Sequence, residues 1–230
     1  MQDGNGVYIK NLKISGYIKT TGAYAAGLVG WPDGKITIEN CVNSCNIEGG
    51  SVAGGLIGCA GVNTNIYNSI NFGSVLAKQE YAGGIIGVNF RDEVNIINTA
   101  NLGNLCSETQ GEYVGGIIGF YASYWHGTKP FNIENNYSSG KIEGIDRKAG
   151  IIGGNWDSQS VYQIENNFWL EGSAIKGIYN FPDNSQTKTK EYMQSQEFVN
   201  ELNKYIDENP IEGITLLKWK YNEGNYPTFE

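Results

Sequence analysis

The chain has 230 residues and carries 16 Lys plus Arg against 24 Asp plus Glu, a net charge of −8. A phosphate backbone would be repelled over most of such a surface, so nucleic acid is not an expected partner. No run approaches the roughly 18 apolar residues of a membrane span, and the opening MQDGNG lacks the basic and apolar regions of a signal peptide. The expectation is a soluble chain without membrane insertion, any export signal lying upstream of Met1.

Glycine makes up 32 of the 230 residues while hydrophobics remain at 40%, and no period of three appears. Glycine therefore marks backbone geometry inside a packed fold. Cys41, Cys45, Cys59 and Cys106 form no Cys-x-x-Cys, and with His126 as the sole imidazole the zinc spacings are missing. They read as buried small hydrophobes, with a single disulfide such as Cys41 to Cys59 as the alternative. Neither a metal nor a cofactor is expected.

In chain order, one unit recurs. Five segments share a small-Gly-aliphatic-aliphatic-Gly pattern: AGLVG (Ala26 to Gly30), GGLIG (Gly54 to Gly58), GGIIG (Gly83 to Gly87), GGIIG (Gly115 to Gly119) and AGIIG (Ala149 to Gly153). Their last glycines are 28, 29, 32 and 34 residues apart. An Ile-x-Asn series runs in phase, ending at Asn11, Asn40, Asn68, Asn98, Asn135 and Asn166. After most of these asparagines comes a turn glycine and then an aliphatic, as at Gly16 and Ile18 or Gly73 and Val75. Each unit thus reads as three short strands separated by turns.

Strands this short are not stable within one unit, so each must pair with its equivalent in the next, about 4.8 Å away. The expected fold is all-β: a right-handed parallel β-helix, or solenoid, of five to six coils over residues 1–177. Asn tolerates the left-handed turn conformation, and its amide can bond the same amide one coil up and one down, so the six asparagines are expected to form a ladder. Gly27, Gly55, Gly84, Gly116 and Gly150 leave no room for a side chain beside a bend, while Leu28, Leu56, Ile85, Ile117 and Ile151 stack in the core.

These phased copies resemble the GLUG-motif repeats of bacterial surface and secreted proteins, through GLVG, GLIG and GIIG, over roughly residues 9 to 177. The departures are Cys45 in a glycine slot, Arg147-Lys148 where earlier units have Tyr-Ala or Tyr-Val, and a degraded last unit. The resemblance implies an extracellular or cell-surface setting in bacteria and an accessory role, as in adhesin-like chains and in immunoglobulin-A peptidases outside the peptidase domain.

From 178 to 230 the pattern stops. Phe198, Val199, Leu202, Tyr205 and Ile206 mark one face of a helix with Ser195 as N-cap and Pro210 beyond its end, and Leu217, Trp219 and Tyr221 alternate as a strand. The segment reads as an α+β cap over the open end of the solenoid.

No HExxH, GxSxG or Walker loop is present, so no enzyme is expected. The best catalytic alternative is a set of loop carboxylates, Asp33, Asp92 with Glu93, and Asp157, in a polysaccharide-degrading β-helix. The loops also carry Trp31, Phe90, Tyr121, Tyr124, Trp125 and Trp156, which on one edge of stacked coils could form a strip for a host glycan or glycoprotein. Tyr24, Tyr81 and Tyr113, with Val52 between, are expected to pack as a column on a sheet face. The primary expectation is a non-catalytic adhesive or ligand-binding module, monomeric within a larger chain. The alternative is a rigid spacer or peptidase accessory domain. What separates the two is whether the aromatic edge is exposed and contiguous.

Overall fold

The computed structural model describes residues 6–90, 93–109, 112–122, 130–144, 146–156, 161–180 and 182–229. Each Ile-x-Asn marker closes a strand: Val7–Lys10, Ile36–Glu39, Thr64–Tyr67, Val94–Ile97, Pro130–Glu134 and Val161–Glu165 pair in that order as a parallel first sheet. The register is unbroken, so Ile9, Ile38, Ile66, Ile96, Ile133 and Ile164 form one column. From Ile38 to Ile164 this column is buried in a single core with Leu56, Ile85, Ile117 and Ile151, and the less buried Ile9 and Leu28 pack against its open end. A second sheet begins at Lys13–Lys19 and Val42–Gly49, and a third at Tyr24–Ala26 and Val52–Gly54, both continuing in parallel coil by coil. The architecture is the β-solenoid that the repeat spacing implies.

The glycine motif is explained by a close approach inside the coil. A Cβ on Gly27 would lie 2.6 Å from Asn43 Cγ, and one on Gly55 would lie 2.6 Å from Asn71 Cγ. These glycines therefore serve close approach to a second, inner row of amides that the sequence reading did not anticipate. In that row Asn43 donates to Asn71 at 2.7 Å and Asn71 to Asn101 at 2.8 Å, all fully buried. Its signal was an asparagine three residues after the marker, at Asn43, Asn71 and Asn101.

Two expectations about the C-terminal region are corrected. The sheets continue past 177: Lys176–Ile178 pairs with the strand Arg147–Ile152, and Gln186–Lys188 pairs with Phe168–Leu170. The helices that follow, α1 (Lys190–Met193) and α2 (Gln196–Glu208), lie along the flank of the second sheet and not over the end of the solenoid. The physical reason is an outward apolar column, Ile70, Ala100, Tyr137 and Phe168, which needs a cover. Phe198, Val199, Leu202 and Ile206 of α2 supply it, with Ser195 Oγ capping the Phe198 N–H at 3.2 Å.

The expected strand around Leu217 to Tyr221 is extended chain with one isolated bridge, Lys220 to Thr228. Its partners are side-chain amides, Asn68 and Asn98 of the solenoid at the Leu217 backbone and Asn203 of α2 at the Trp219 backbone. Cys41, Cys45, Cys59 and Cys106 are thiols, and the first three lie in different apolar clusters, which keeps them from pairing.

Candidate functional site

The marker asparagines all sit at positive φ, from 50° to 58°. Rungs run from Asn40 to Asn11 (2.5 Å), Asn98 to Asn68 (2.8 Å), Asn135 to Asn98 (2.9 Å) and Asn166 to Asn135 (2.7 Å). The expected ladder of six is interrupted between Asn40 and Asn68, because Asn68 Nδ2 turns to Thr215 O, to which it donates at 2.8 Å, while its Oδ1 accepts the Leu217 N–H at 3.0 Å. Asn98 donates to Leu217 O and accepts from the Trp219 indole, while Asn135 donates to Leu202 O. The corner ladder is therefore also the seat of the C-terminal segment.

The aromatic loop residues do not assemble as one strip among the described residues. Trp31 and Trp156 are exposed, at 52% and 60%, but they stand four coils apart, about 19 Å. Tyr121 is in the core against Phe131, with ring centroids 4.2 Å apart. The strand Ile118–Tyr121 runs two residues beyond the glycine motif, and alternation turns Tyr121 inward and Phe120 outward. Phe90 is half-buried against an outer layer of Val52, Cys59, Val88, Tyr113 and Phe120. Tyr81 stacks on Phe120 at 4.7 Å, Tyr113 meets Phe120 at 4.8 Å, and Trp156 sits edge-on to Phe120 at 4.8 Å. Tyr24 contacts Trp31 at 5.7 Å. Tyr124 and Trp125 lie outside the described residues, as do His126, Asp92 and Asp157. Of the loop carboxylates, Asp33 is exposed and Glu93 lies on a different feature, a groove.

That groove was missed in the sequence. The first sheet's outward column reads Tyr8, Thr37, Asn65, Asn95, Asn132 and Gln163, one residue per coil. Asn95 donates to Asn65 at 2.7 Å and Asn132 to Asn95 at 2.8 Å, a third amide ladder on the outer face. Glu208, the last residue of α2, and residues 209–212 after it rise beside it. Together they enclose a trough of about 630 Å³ lined by Tyr67, Asn95, Asn132, Glu134, Gln163, Glu208 and Glu212, among others. A second depression of about 300 Å³, lined by Tyr8, Lys35, Asn65 and Glu93, shares Tyr67 with it.

Burial, with Glu93 nearby, pushes the Tyr67 hydroxyl up to about 12. Glu134 is held above the usual carboxylate range by burial and secondarily by Glu165, against the opposing hydrogen bond from Tyr205 at 2.9 Å. Tyr205 is itself pushed up by burial and then by Glu134. Among the described residues, no group of three or more His, Cys, Asp or Glu is placed to hold a metal ion, and no helix is long and apolar enough to cross a membrane.

The fold and its amide-lined corners define a parallel β-solenoid with a laterally docked C-terminal segment. No family model matches the chain, and no curated protein does either. Among solved structures it is similar to a crystal structure from Bacteroides ovatus assigned provisionally as an immunoglobulin A1 protease, with 22% identity and a TM-score of 0.55. The match covers 100% of this chain and 60% of that one. The likeness is one of fold.

Proposed function

We propose that this chain is a non-catalytic structural module of a larger bacterial surface or secreted protein, a rigid spacer or accessory domain of the kind that accompanies an immunoglobulin-A peptidase. The observation that carries the reading is the unbroken column from Ile9 to Ile164, buried along one core and bordered by amide ladders. A rod built this way transmits position from one end to the other, because each coil is paired with its neighbours on all three sheets. The resemblance to GLUG-motif repeats and the fold shared with the Bacteroides ovatus chain support the extracellular setting.

Spacing ranks above adhesion through the aromatic edge because that edge is not contiguous among the described residues: Tyr121 is core, and Trp31 and Trp156 stand apart. Non-catalytic use fits Glu134, whose carboxylate is engaged in holding α2 through Tyr205. The test is a distance distribution between spin labels at Lys10→Cys and Glu165→Cys, in a chain with Cys106→Ser. The two positions share one column five steps apart, about 24 Å. A single narrow peak near that value supports the spacer, and a broad or double distribution contradicts it.

A further inference from the structure

We infer that the groove on the outer face of the first sheet is a binding site for an extended, uncharged glycan. Its floor is the outer amide ladder Asn65, Asn95 and Asn132, continued by Gln163. Asn65 and Asn95 are engaged in the ladder and with Asn63 and Glu93, while Asn132 and Gln163 keep the side-by-side donor and acceptor that a vicinal diol answers. These two stand one coil apart, about 4.8 Å, a spacing close to the length of one pyranose unit, so a linear glycan lying along the axis meets one at each of two successive residues. Glu208 and Glu212 form a wall of hydroxyl acceptors, and Tyr67 supplies a ring where the two depressions join.

Two alternatives fit less well. A peptide strand would add to an unpaired sheet edge, but Asn65, Asn95 and Asn132 stand on strands already paired on both sides, and among the floor residues only Gln163 lies on a terminal strand, Val161–Glu165, so most of the floor offers side chains alone. A polyanionic glycan would meet Glu93, Glu134, Glu208 and Glu212, with Lys35 as the one lining cation among the described residues. Three of those carboxylates, Glu93, Glu134 and Glu212, have no cation partner among the described residues. Within a Debye length of about 8 Å such charges repel a uronate chain. The inference is independent of the spacer reading, since a rigid rod can carry a site along its side.

The experiment titrates the intact chain, by calorimetry, with cellohexaose, chitohexaose, hexagalacturonate and hexalysine. The expected result is binding of at least one neutral hexasaccharide and none of hexagalacturonate. Affinity should fall at least tenfold in Asn132→Ala and in a second variant, Gln163→Ala with Glu212→Ala, whose side chains are exposed and whose melting temperature should be unchanged. Three outcomes would overturn the inference: no neutral hexasaccharide binds, binding survives both groove variants, or Trp31→Ala with Trp156→Ala abolishes it. Preference for hexagalacturonate or for hexalysine would equally overturn it, the latter in favour of a basic peptide ligand.

Discussion

Asn98 is the most heavily used rung of the corner ladder, and replacing it by Ala separates hydrogen bonding from backbone strain. Its Nδ2 donates to Asn68 and to Leu217 O, both at 2.8 Å, and its Oδ1 accepts from Asn135 at 2.9 Å and from the Trp219 indole at 2.5 Å. Asn68 and Asn135 retain other partners, to Leu217 N and Leu202 O. The Trp219 indole, in a side chain only 2% exposed, loses its acceptor. An unsatisfied buried donor costs about 1–3 kcal/mol and each of the three other lost bonds about 0.5–1.5 kcal/mol, so the hydrogen-bond loss is about 2.5–7.5 kcal/mol. Ala at φ 57° adds about 1–2 kcal/mol. The control is Asn11→Ala: Asn11 has φ 58°, lies at the exposed end and has one rung, from Asn40. The backbone penalty is common to both variants and cancels in their difference. Urea denaturation should therefore place Asn98→Ala at least about 2 kcal/mol below Asn11→Ala, with the same dependence on denaturant. Equal losses would mean that the bonds at Asn98 contribute no more than the single rung at Asn11.

Ending the chain at Lys188 should bare Tyr137 and Phe168, both fully buried beneath α2, and sedimentation should show aggregation where the intact chain is monodisperse. Glu134 has a raised folded pKa, so its stabilising contribution is present below the ordinary carboxylate pKa and is lost as pH rises through the raised value. Glu134→Gln, which keeps an acceptor for Tyr205, should accordingly raise the melting temperature at neutral pH, with the gain vanishing in acid. Phe120→Ala should lower unfolding free energy by about 3–5 kcal/mol, because the ring is fully buried under Tyr81 and Tyr113. Trp31→Ala should change it by no more than about 0.5 kcal/mol.

The solenoid was legible because two motifs repeat in phase, and a period near 30 residues leaves few ways to bury the aliphatic positions. The asparagine markers were legible for a local reason, since Asn is the non-glycine residue most at ease at positive φ. Three things were not legible. A glycine motif looks like the end of a strand and so places Tyr121 in a loop, whereas pairing with Asn89 carries the strand on and fixes its alternation. The position of the C-terminal helix depends on the outward column Ile70, Ala100, Tyr137 and Phe168, whose members are irregular in size and lie 30, 37 and 31 residues apart. The groove arises from residues 208–212 standing beside Asn95, Asn132 and Gln163, a juxtaposition made by tertiary docking with no local signal.

The corner ladder joins the coils and the C-terminal segment into one cooperative body. Native-state hydrogen exchange of the Trp219 indole N–H tests it directly, because that proton is held by Asn98, and Trp219 lies outside every strand and helix. If the claim holds, the indole exchanges only through global unfolding, with the same opening free energy as the core amides of Ile66 and Ile96. Exchange at a distinctly lower free energy would mean that the segment detaches while the solenoid stays folded, and would contradict the claim.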